Sequence, residues 1–407
     1  MFRIVLISSG QPSVNPRLVK EADALVSAGF EVHVIYSFWN AWAYEFDKKI
    51  FSEAQWERHL VGGSPFQNKR QYLYTKARYK AANFFLKRGI SQFDIAEMSK
   101  GRAYCEMLQK AISLKADIYI AHNLAALPVA VKAAKFHKAK CSFDAEDFHR
   151  KEVTDDENSI YYKQCKYLED KYLPHLDYMT AASPLIAVEY KKLYPQLNPI
   201  TINNLFTSPE LTFQNHKSKI KNQKFDLFWF SQTVGKNRGL EDVLKALSIL
   251  NNSTISLHLL GNASIEIKTY LQSFSKTTDI HFYEPIPPDD IFEFASQFDI
   301  GLALEQNTPY NRDICLTNKI FTYLTSGLAV VASETSAQKQ FINSYPNIGK
   351  LYPVGNAEAL AQIINYYYHN KEALQKAKME SFNLAKNELN WEKESAKLEE
   401  IINTVLV

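Results

Sequence analysis

The residues best suited to chemistry in this sequence lie between two short apolar runs. The stretch Phe298 to Ser333 reads as strand, long polar loop, short helix, strand, and its middle holds Glu305, Asn311, Arg312, Asp313, Thr317, Asn318 and Lys319. Groups of these types at this density suit hydroxyls and phosphates, and loops of such length are often functional. Lys319 falls in the first turn of the helix, where free backbone N–H groups and the positive end of the helix dipole favour an anion. A nucleotide diphosphate is the candidate anion. A second phosphate site is the loop Ser231–Gly239 (SQTVGKNRG), which carries Gly235, Lys236 and Arg238. In the first half, Arg17 and Lys20 sit near the start of a helix that follows a turn containing Gly10 and Asn15. His122 and Asn123 end one apolar run, and Asp144, Glu146 and Asp147 end the next. Each group has a plainer alternative: a solvated loop, surface cations, a structural histidine, carboxylates that cap helices.

Compact apolar runs place these residues at strand ends. Asp299–Leu304 and Leu328–Ala332 read as buried parallel strands, joined by a helix that Thr317 or Asn318 caps and Gly327 ends. Phe2–Ser8, a helix from Pro16 with Leu18, Ala22, Leu25 and Val26 on one face, and Glu31–Tyr36 form a β-α-β unit. Its turn lacks the full Gly-x-Gly-x-x-Gly fingerprint, so no dinucleotide cofactor is indicated. Ala116–Ala121, Cys141–Ala145, Tyr178–Ala182 and Pro199–Asn203 continue the series. Thr207–Lys224 is polar and pattern-free and reads as a linker. A second β-α series follows, with strands at Phe225–Phe230, Ser256–Leu260 and Ile280–Tyr283, the two strands of the Phe298–Ser333 stretch closing it. The turn Glu284–Pro288 presents Pro285 and Ile286 as a flat pocket wall, and Glu388–Val407 is a long amphipathic helix.

Length and composition bound the rest. At 407 residues two domains are expected rather than one core. Hydrophobic residues make up 46% and aromatics 13%, which is globular rather than disordered, and a net charge of +3 names no partner. No run approaches the roughly 18 apolar residues of a membrane helix, and MFRIVLISSG is too strand-like for a secretory signal, so a cytoplasmic protein is expected. Cys105, Cys141, Cys165 and Cys315 show neither metal spacing nor a disulfide framework. From Arg58 to Phe93 there is no acid, while Lys69, Arg70, Lys76, Arg78, Lys80, Lys87 and Arg88 alternate with Phe66, Tyr72, Tyr74, Tyr79, Phe84 and Phe85. That mixture suits an anionic membrane surface or a solvated helical insertion; no nucleic-acid motif accompanies it.

Taken in order, SGQPSVNPRLVKEADALVSAGFEVHVI, AHNLAALPVAVKAA, FDAEDF, FSQTVGKNRGLEDVLKAL and TNKIFTYLTSGLAVVAS resemble the motifs of family 4 nucleotide-sugar glycosyltransferases of the GT-B fold. The resemblance spans nearly the whole chain except roughly residues 40 to 110. It implies an α/β architecture of two Rossmann-like, doubly wound domains facing a cleft: 1–205 for the acceptor, with a basic helical insertion at about 40–110; a linker at 206–221; 222–385 for the donor; and 386–407 as a helix crossing back to the first domain. It implies a metal-independent, retaining hexosyltransferase that moves sugar from a nucleotide diphosphate to a glycan or lipid-linked hydroxyl. No metal or other cofactor is implied. Arg238, Lys319 and His122 would be catalytic. Gly235, Lys236, Glu305, Arg312, Asp313, Thr317, Asn318, Pro285 and Ile286 would bind donor, and Gly10, Asn15, Arg17, Asn123, Asp144 and Glu146 acceptor. The chain departs from the pattern at several places: Gln232 stands where an Arg is usual, Ile314 and Thr322 where two acids are usual, and Glu146 where a His is usual. Asp313 and Glu305 are the substitutes for the acids. Their displacement leaves open a non-catalytic nucleotide-sugar-binding or assembly protein, or a sugar epimerase of the same fold.

Overall fold

The strands of the first half form one parallel sheet. They are β1 (Arg3–Ser8), β2 (Glu31–Ser37), β3 (Glu57–Val61), β4 (Ile118–His122), β5 (Lys140–Ala145), β6 (Tyr178–Ala181) and β7 (Ile200–Thr201), in the order β3-β2-β1-β4-β5-β6-β7. The second half builds another from β8 (Phe225–Thr233), β9 (Ile255–Asn262), β10 (Asp279–Tyr283), β11 (Ile300–Ala303), β12 (Ala329–Ser333) and β13 (Gly349–Tyr352), ordered β10-β9-β8-β11-β12-β13. This computed structural model describes residues 1–208, 224–274 and 279–406. The chain divides into two units, Met1–Asn203 with Ser395–Val407, and Asn204–Glu394. The expected linker falls largely outside the described residues.

Local chemistry sets the elements. In the first unit the helix α1 (Pro16–Ser27) starts where Asn15 Oδ1 accepts from Leu18 N at 3.1 Å, and it yields to Gly29 at φ 90°. Leu18, Ala22 and Leu25 of α1 are buried with Ile4, Leu6, Val32 and Val34. Two further helices matter below: α2 (Lys69–Leu86) and α3 (Tyr104–Ser113), the latter packed on β2 and β3. In the second unit these are α4 (Leu240–Leu250), α5 (Asn318–Thr325) and α6 (Ser336–Ser344). Gly301 of β11 lets α5 lie close, because a Cβ there would stand 2.2 Å from the Tyr323 ring. The Tyr323 hydroxyl donates to the Leu302 carbonyl at 2.9 Å.

Three expectations need correction. The 40–110 region is not a purely helical insertion, since Glu57–Val61 pairs in parallel with β2 as an edge strand. Its exposed side chains hide the apolar run by which a buried strand is recognised. The second sheet does not close at β12 but continues to β13, whose four residues include two only half-buried. The terminal helix α7 (Trp391–Leu406) begins three residues after Glu388, where Asn390 Oδ1 accepts from Lys393 N at 3.2 Å. Its return is as expected: Leu398 and Ile402 are buried in the core of the first unit.

Candidate functional site

In the second sheet the chain winds outward from β8 through β9 to β10 one way, and from β11 through β12 to β13 the other. At such a switch point the loops after the two central strands lie side by side at their carboxyl ends, where open α/β sheets bind ligands. The loop after β8 carries Lys236 and Arg238; the one after β11 carries Glu305 to Thr317. They approach closely, because a Cβ on Gly239, whose φ is 79°, would stand 2.7 Å from Leu304 Cβ and 2.9 Å from its carbonyl oxygen. Glycine is therefore required beside Arg238.

Glu305 is the hub of the second loop. Lys319 Nζ lies 2.6 Å from its Oε1, and Thr317 Oγ1 donates to the same oxygen at 3.0 Å. Burial pushes the Glu305 carboxyl up, but Lys319, Thr317 and the nearby Arg312 outweigh it and hold the group below its ordinary value. Lys319 also stands 6.0 Å from the Trp229 ring. Because Thr317 spends its hydroxyl on Glu305 and α5 has no acid in its first turn, the backbone N–H groups there remain available to an anion. The start of α4 differs: Glu241 accepts from Asn237 N at 3.0 Å and Asp242 from Gly355 N at 3.1 Å, which fills that end with negative charge.

The structure so brings Arg238, Glu305, Arg312, Thr317, Asn318 and Lys319 to one edge of the sheet. Asp313 is turned to another task, accepting from Ser336 N at 2.9 Å and Ser336 Oγ at 2.5 Å at the start of α6. Lys236 reaches over the Tyr270 ring at 4.3 Å, away from Glu305, and Gly235 beside it is half-buried. Pro285 and Ile286 follow β10, two strands from β8, with Pro285 exposed. Ile314 and Thr322, the positions where the resemblance led to acids, are both 2% exposed, and Thr322 Oγ1 donates to the Asn318 carbonyl at 3.0 Å.

In the first sheet the switch lies between β1 and β4, where Ser8 pairs in register with His122. Asn123, at φ 71°, accepts from Ser9 Oγ at 3.0 Å and donates to Ser8 Oγ at 3.3 Å; Gly10 N donates to Ser8 Oγ at 3.2 Å. Asn15 Nδ2 donates to Glu146 at 2.5 Å. Arg17 grips both oxygens of Asp144, at 2.5 and 2.7 Å, and donates to the Ile202 carbonyl. His122 lies fully buried 3.2 Å from Glu21, 3.5 Å from Asp144 and 3.6 Å from Glu146. Burial alone would lower its pKa, but these carboxylates raise it to about 10, while Arg17 overcomes burial to bring Asp144 to about 2. Gly10 and Asn123 thus meet at Ser8, while Asn15, Arg17, Asp144, Glu146 and His122 join a second network, in which Arg17, His122 and Asp144 face one another rather than solvent. Glu21, His122 and Asp144 also have the composition of a cation site, but the guanidinium already occupies Asp144 and an imidazolium would repel a metal. Lys20, half-buried, is lowered to about 7 by burial and by Arg17.

Sequence reasoning missed the side chains next to this network. A cavity of about 200 Å³ opens there, lined among others by Gln11, Tyr36, Asp47, Lys48, Arg58 and Gln67. Asp47, 3% exposed, accepts from Gln11 Nε2 at 2.7 Å and Ser13 N at 3.0 Å. Gln11 lies in the turn already singled out; nothing in the spacing of Asp47 or Arg58 tied them to it.

Residues 212–383 match the family described as Glycosyl transferases group 1. No curated protein matches the chain. Among solved structures it is similar to sucrose-phosphate synthase from Thermosynechococcus elongatus, at TM-score 0.73 and 12% identity over 100% of this chain and 99% of that one. It is similar to HepE from Anabaena in complex with UDP-glucose, at TM-score 0.71 and 13% identity over 99% and 100%. A glycosyltransferase from Rickettsia africae aligns at TM-score 0.67 and 15% identity over 100% and 98%. At these identities the structures establish the GT-B fold, and the similarity to the group 1 family lies within residues 212–383.

Proposed function

Because the chain carries a glycosyl transferases group 1 domain on a full-length GT-B fold, we propose that it moves a sugar from a nucleotide-diphosphate donor to a hydroxyl of a glycan or lipid-linked acceptor, with retention, in cell-surface polysaccharide synthesis. The observation that supports the donor assignment is the close approach of Gly239, beside Arg238, to Leu304 in the loop that leads into Lys319 and the open first turn of α5. The reaction breaks the bond between the anomeric carbon and a diphosphate oxygen, forms one to the acceptor oxygen, and passes the hydroxyl proton to the departing diphosphate, on which negative charge grows. The protein's task is to stabilise that charge and align the acceptor. Arg238 grips phosphate through two N–H groups, Lys319 supplies a point charge, and no metal is needed. Lys319 is held ready by Glu305, from which the diphosphate would draw it. HepE, of the same fold, is seen with UDP-glucose, which supports a donor of this class.

In the first unit the acceptor would meet the Gly10 and Asn15 turn beside the 200 Å³ cavity, with Asn123 bonded to Ser9 and Glu146 to Asn15. His122, Arg17 and Asp144 would act by holding that turn and the end of β4 in place. The exposed Phe66, Tyr74, Phe84, Phe85 and Phe93 stand among the cations of α2 and its flanks, a pattern fit for an anionic membrane surface that presents a lipid-linked acceptor. No described helix is long and apolar enough to cross a membrane.

The experiment that tests the function follows release of free nucleotide from a panel of nucleotide sugars, with and without acceptor lipids. Acceptor-dependent release from one donor is expected. Tight binding without release would mean a non-catalytic protein, and inversion of the donor's sugar without transfer an epimerase.

A further inference from the structure

A group of potential metal ligands lies at the opposite pole of the first sheet, near the amino ends of β2 and β3. The parallel register sets His33 beside Glu57 and Ile35 beside His59. With the two-residue period of a strand, His33, Glu57 and His59 therefore share one face. His33 Nδ1 lies 3.0 Å from His59 Nε2 and 3.3 Å from Glu57 Oε2, and His59 Nε2 lies 4.0 Å from that oxygen. A tetrahedral ion with bonds of about 2.0–2.1 Å holds its ligand atoms about 3.3 Å apart, so three donors already stand near the required separations. The His33 side chain is 4% exposed and that of His59 17%, whereas Glu57 is 69% exposed. A surface carboxylate can swing to close the longest gap and leaves the fourth position to water.

A neighbouring carboxylate orients these donors. His33 Nε2 stands 3.0 Å from Glu31 Oε1, and Arg3 holds the same oxygen at 2.7 Å. A carboxylate there fixes the proton on Nε2 and turns the Nδ1 lone pair toward His59 and Glu57, the arrangement that orients histidine ligands in metal sites. Without a cation His59 Nε2 donates its hydrogen to His33 Nδ1. With one, the His59 proton moves to its Nδ1 and both lone pairs face the ion.

We propose that His33, His59 and Glu57 form a binding site for a divalent transition-metal ion of the zinc class. Two imidazoles and one carboxylate favour Zn²⁺ over Mg²⁺ or Ca²⁺, which take oxygen ligands. The site lies at the opposite pole of the first sheet from that sheet's switch-point loops, so its ion is structural: it staples β3, which among the described residues has a strand neighbour on one side only, to β2.

The test uses the full chain, free of any affinity tag, stripped with chelator and titrated with Co²⁺ while visible absorption is followed. Uptake of one Co²⁺ per chain with tetrahedral bands, displaced by Zn²⁺, is expected, together with a rise in thermal midpoint when Zn²⁺ is added. His59→Gln should abolish both, and Glu57→Gln, at an exposed position that leaves folding intact, should weaken Co²⁺ binding by about tenfold or more. His175→Gln, outside the cluster, should change neither. No saturable Co²⁺ uptake by the wild-type chain, or equal uptake by His59→Gln, overturns the proposal and leaves an ordinary histidine pair.

Discussion

Replacing Lys319 separates its electrostatic role toward substrate from its role toward Glu305. The two side chains are 14% and 13% exposed and 2.6 Å apart, so removing the lysine strands a nearly buried carboxylate. Breaking such a pair costs about 3–5 kcal/mol. The Thr317 hydroxyl still donates to Glu305, which puts Lys319→Met at the low end, about 3 kcal/mol. The transition-state effect has a similar size: losing one charge-stabilising donor lowers turnover by about 100-fold or more, roughly 2.7 kcal/mol. A second substitution distinguishes the two. In Lys319→Met with Glu305→Gln no charge is stranded, the Gln oxygen still accepts from Thr317, and most of the lost stability should return, whereas turnover should stay low. Stability is read by urea unfolding through tryptophan fluorescence, to which Trp229 in the core of the second unit contributes, and turnover by nucleotide release at saturating donor. If the double variant regains wild-type turnover, Lys319 serves only to neutralise Glu305 and the proposed diphosphate clamp is wrong.

Arg238→Ala should lower turnover by about 100-fold with a smaller change in donor affinity, since charge on the leaving group grows toward the transition state; unchanged rates, or activity lost with chelator and restored by a divalent cation, would contradict the metal-independent clamp. The buried pair in the first unit predicts a pH window for stability. His122 is raised to about 10, so its contribution is complete below its unfolded value near 6.5 and is lost as pH rises through 10. Asp144 is lowered to about 2, so its contribution is complete above about 4 and is lost as pH falls through 2. Urea midpoints should therefore fall on both sides of that range, and His122→Gln should flatten the alkaline limb; an unaltered limb rules the imidazolium out as its source. Binding to anionic liposomes should weaken with salt and in Lys76→Glu, Lys80→Glu, Lys87→Glu, each nearby cation being worth about 1 kcal/mol. Arg78 is left intact because it pairs with Glu106 at 2.5 and 2.9 Å; equal binding to neutral vesicles would refute membrane docking.

The sequence by itself determined the doubly wound architecture and the chemistry at its strand ends. Buried parallel strands such as Ile4–Ile7 and Val330–Ala332 are apolar on both faces and stand out as continuous runs, while Asn15, Gly29 and Gly327 mark helix ends through local hydrogen bonding and backbone freedom. Those signals need no partner distant in the chain. β3 and β13 escaped because ERHLV and GKLY carry no continuous apolar run; their pairing comes only from the adjacent strand. The site divides in the same way. That Arg238 and Lys319 lie at carboxyl ends of strands follows from the local pattern, but that β8 and β11 are neighbours, and Gly239 packs on Leu304, is decided by the strand order. The direction of each side chain was likewise a tertiary decision: Asp313 turned to Ser336, Arg17 to Asp144, and His122 into a ring of carboxylates. The grouping of His33 with Glu57 and His59 was also tertiary, because a one-residue shift of β3 against β2 would turn the two β3 ligands to the opposite face.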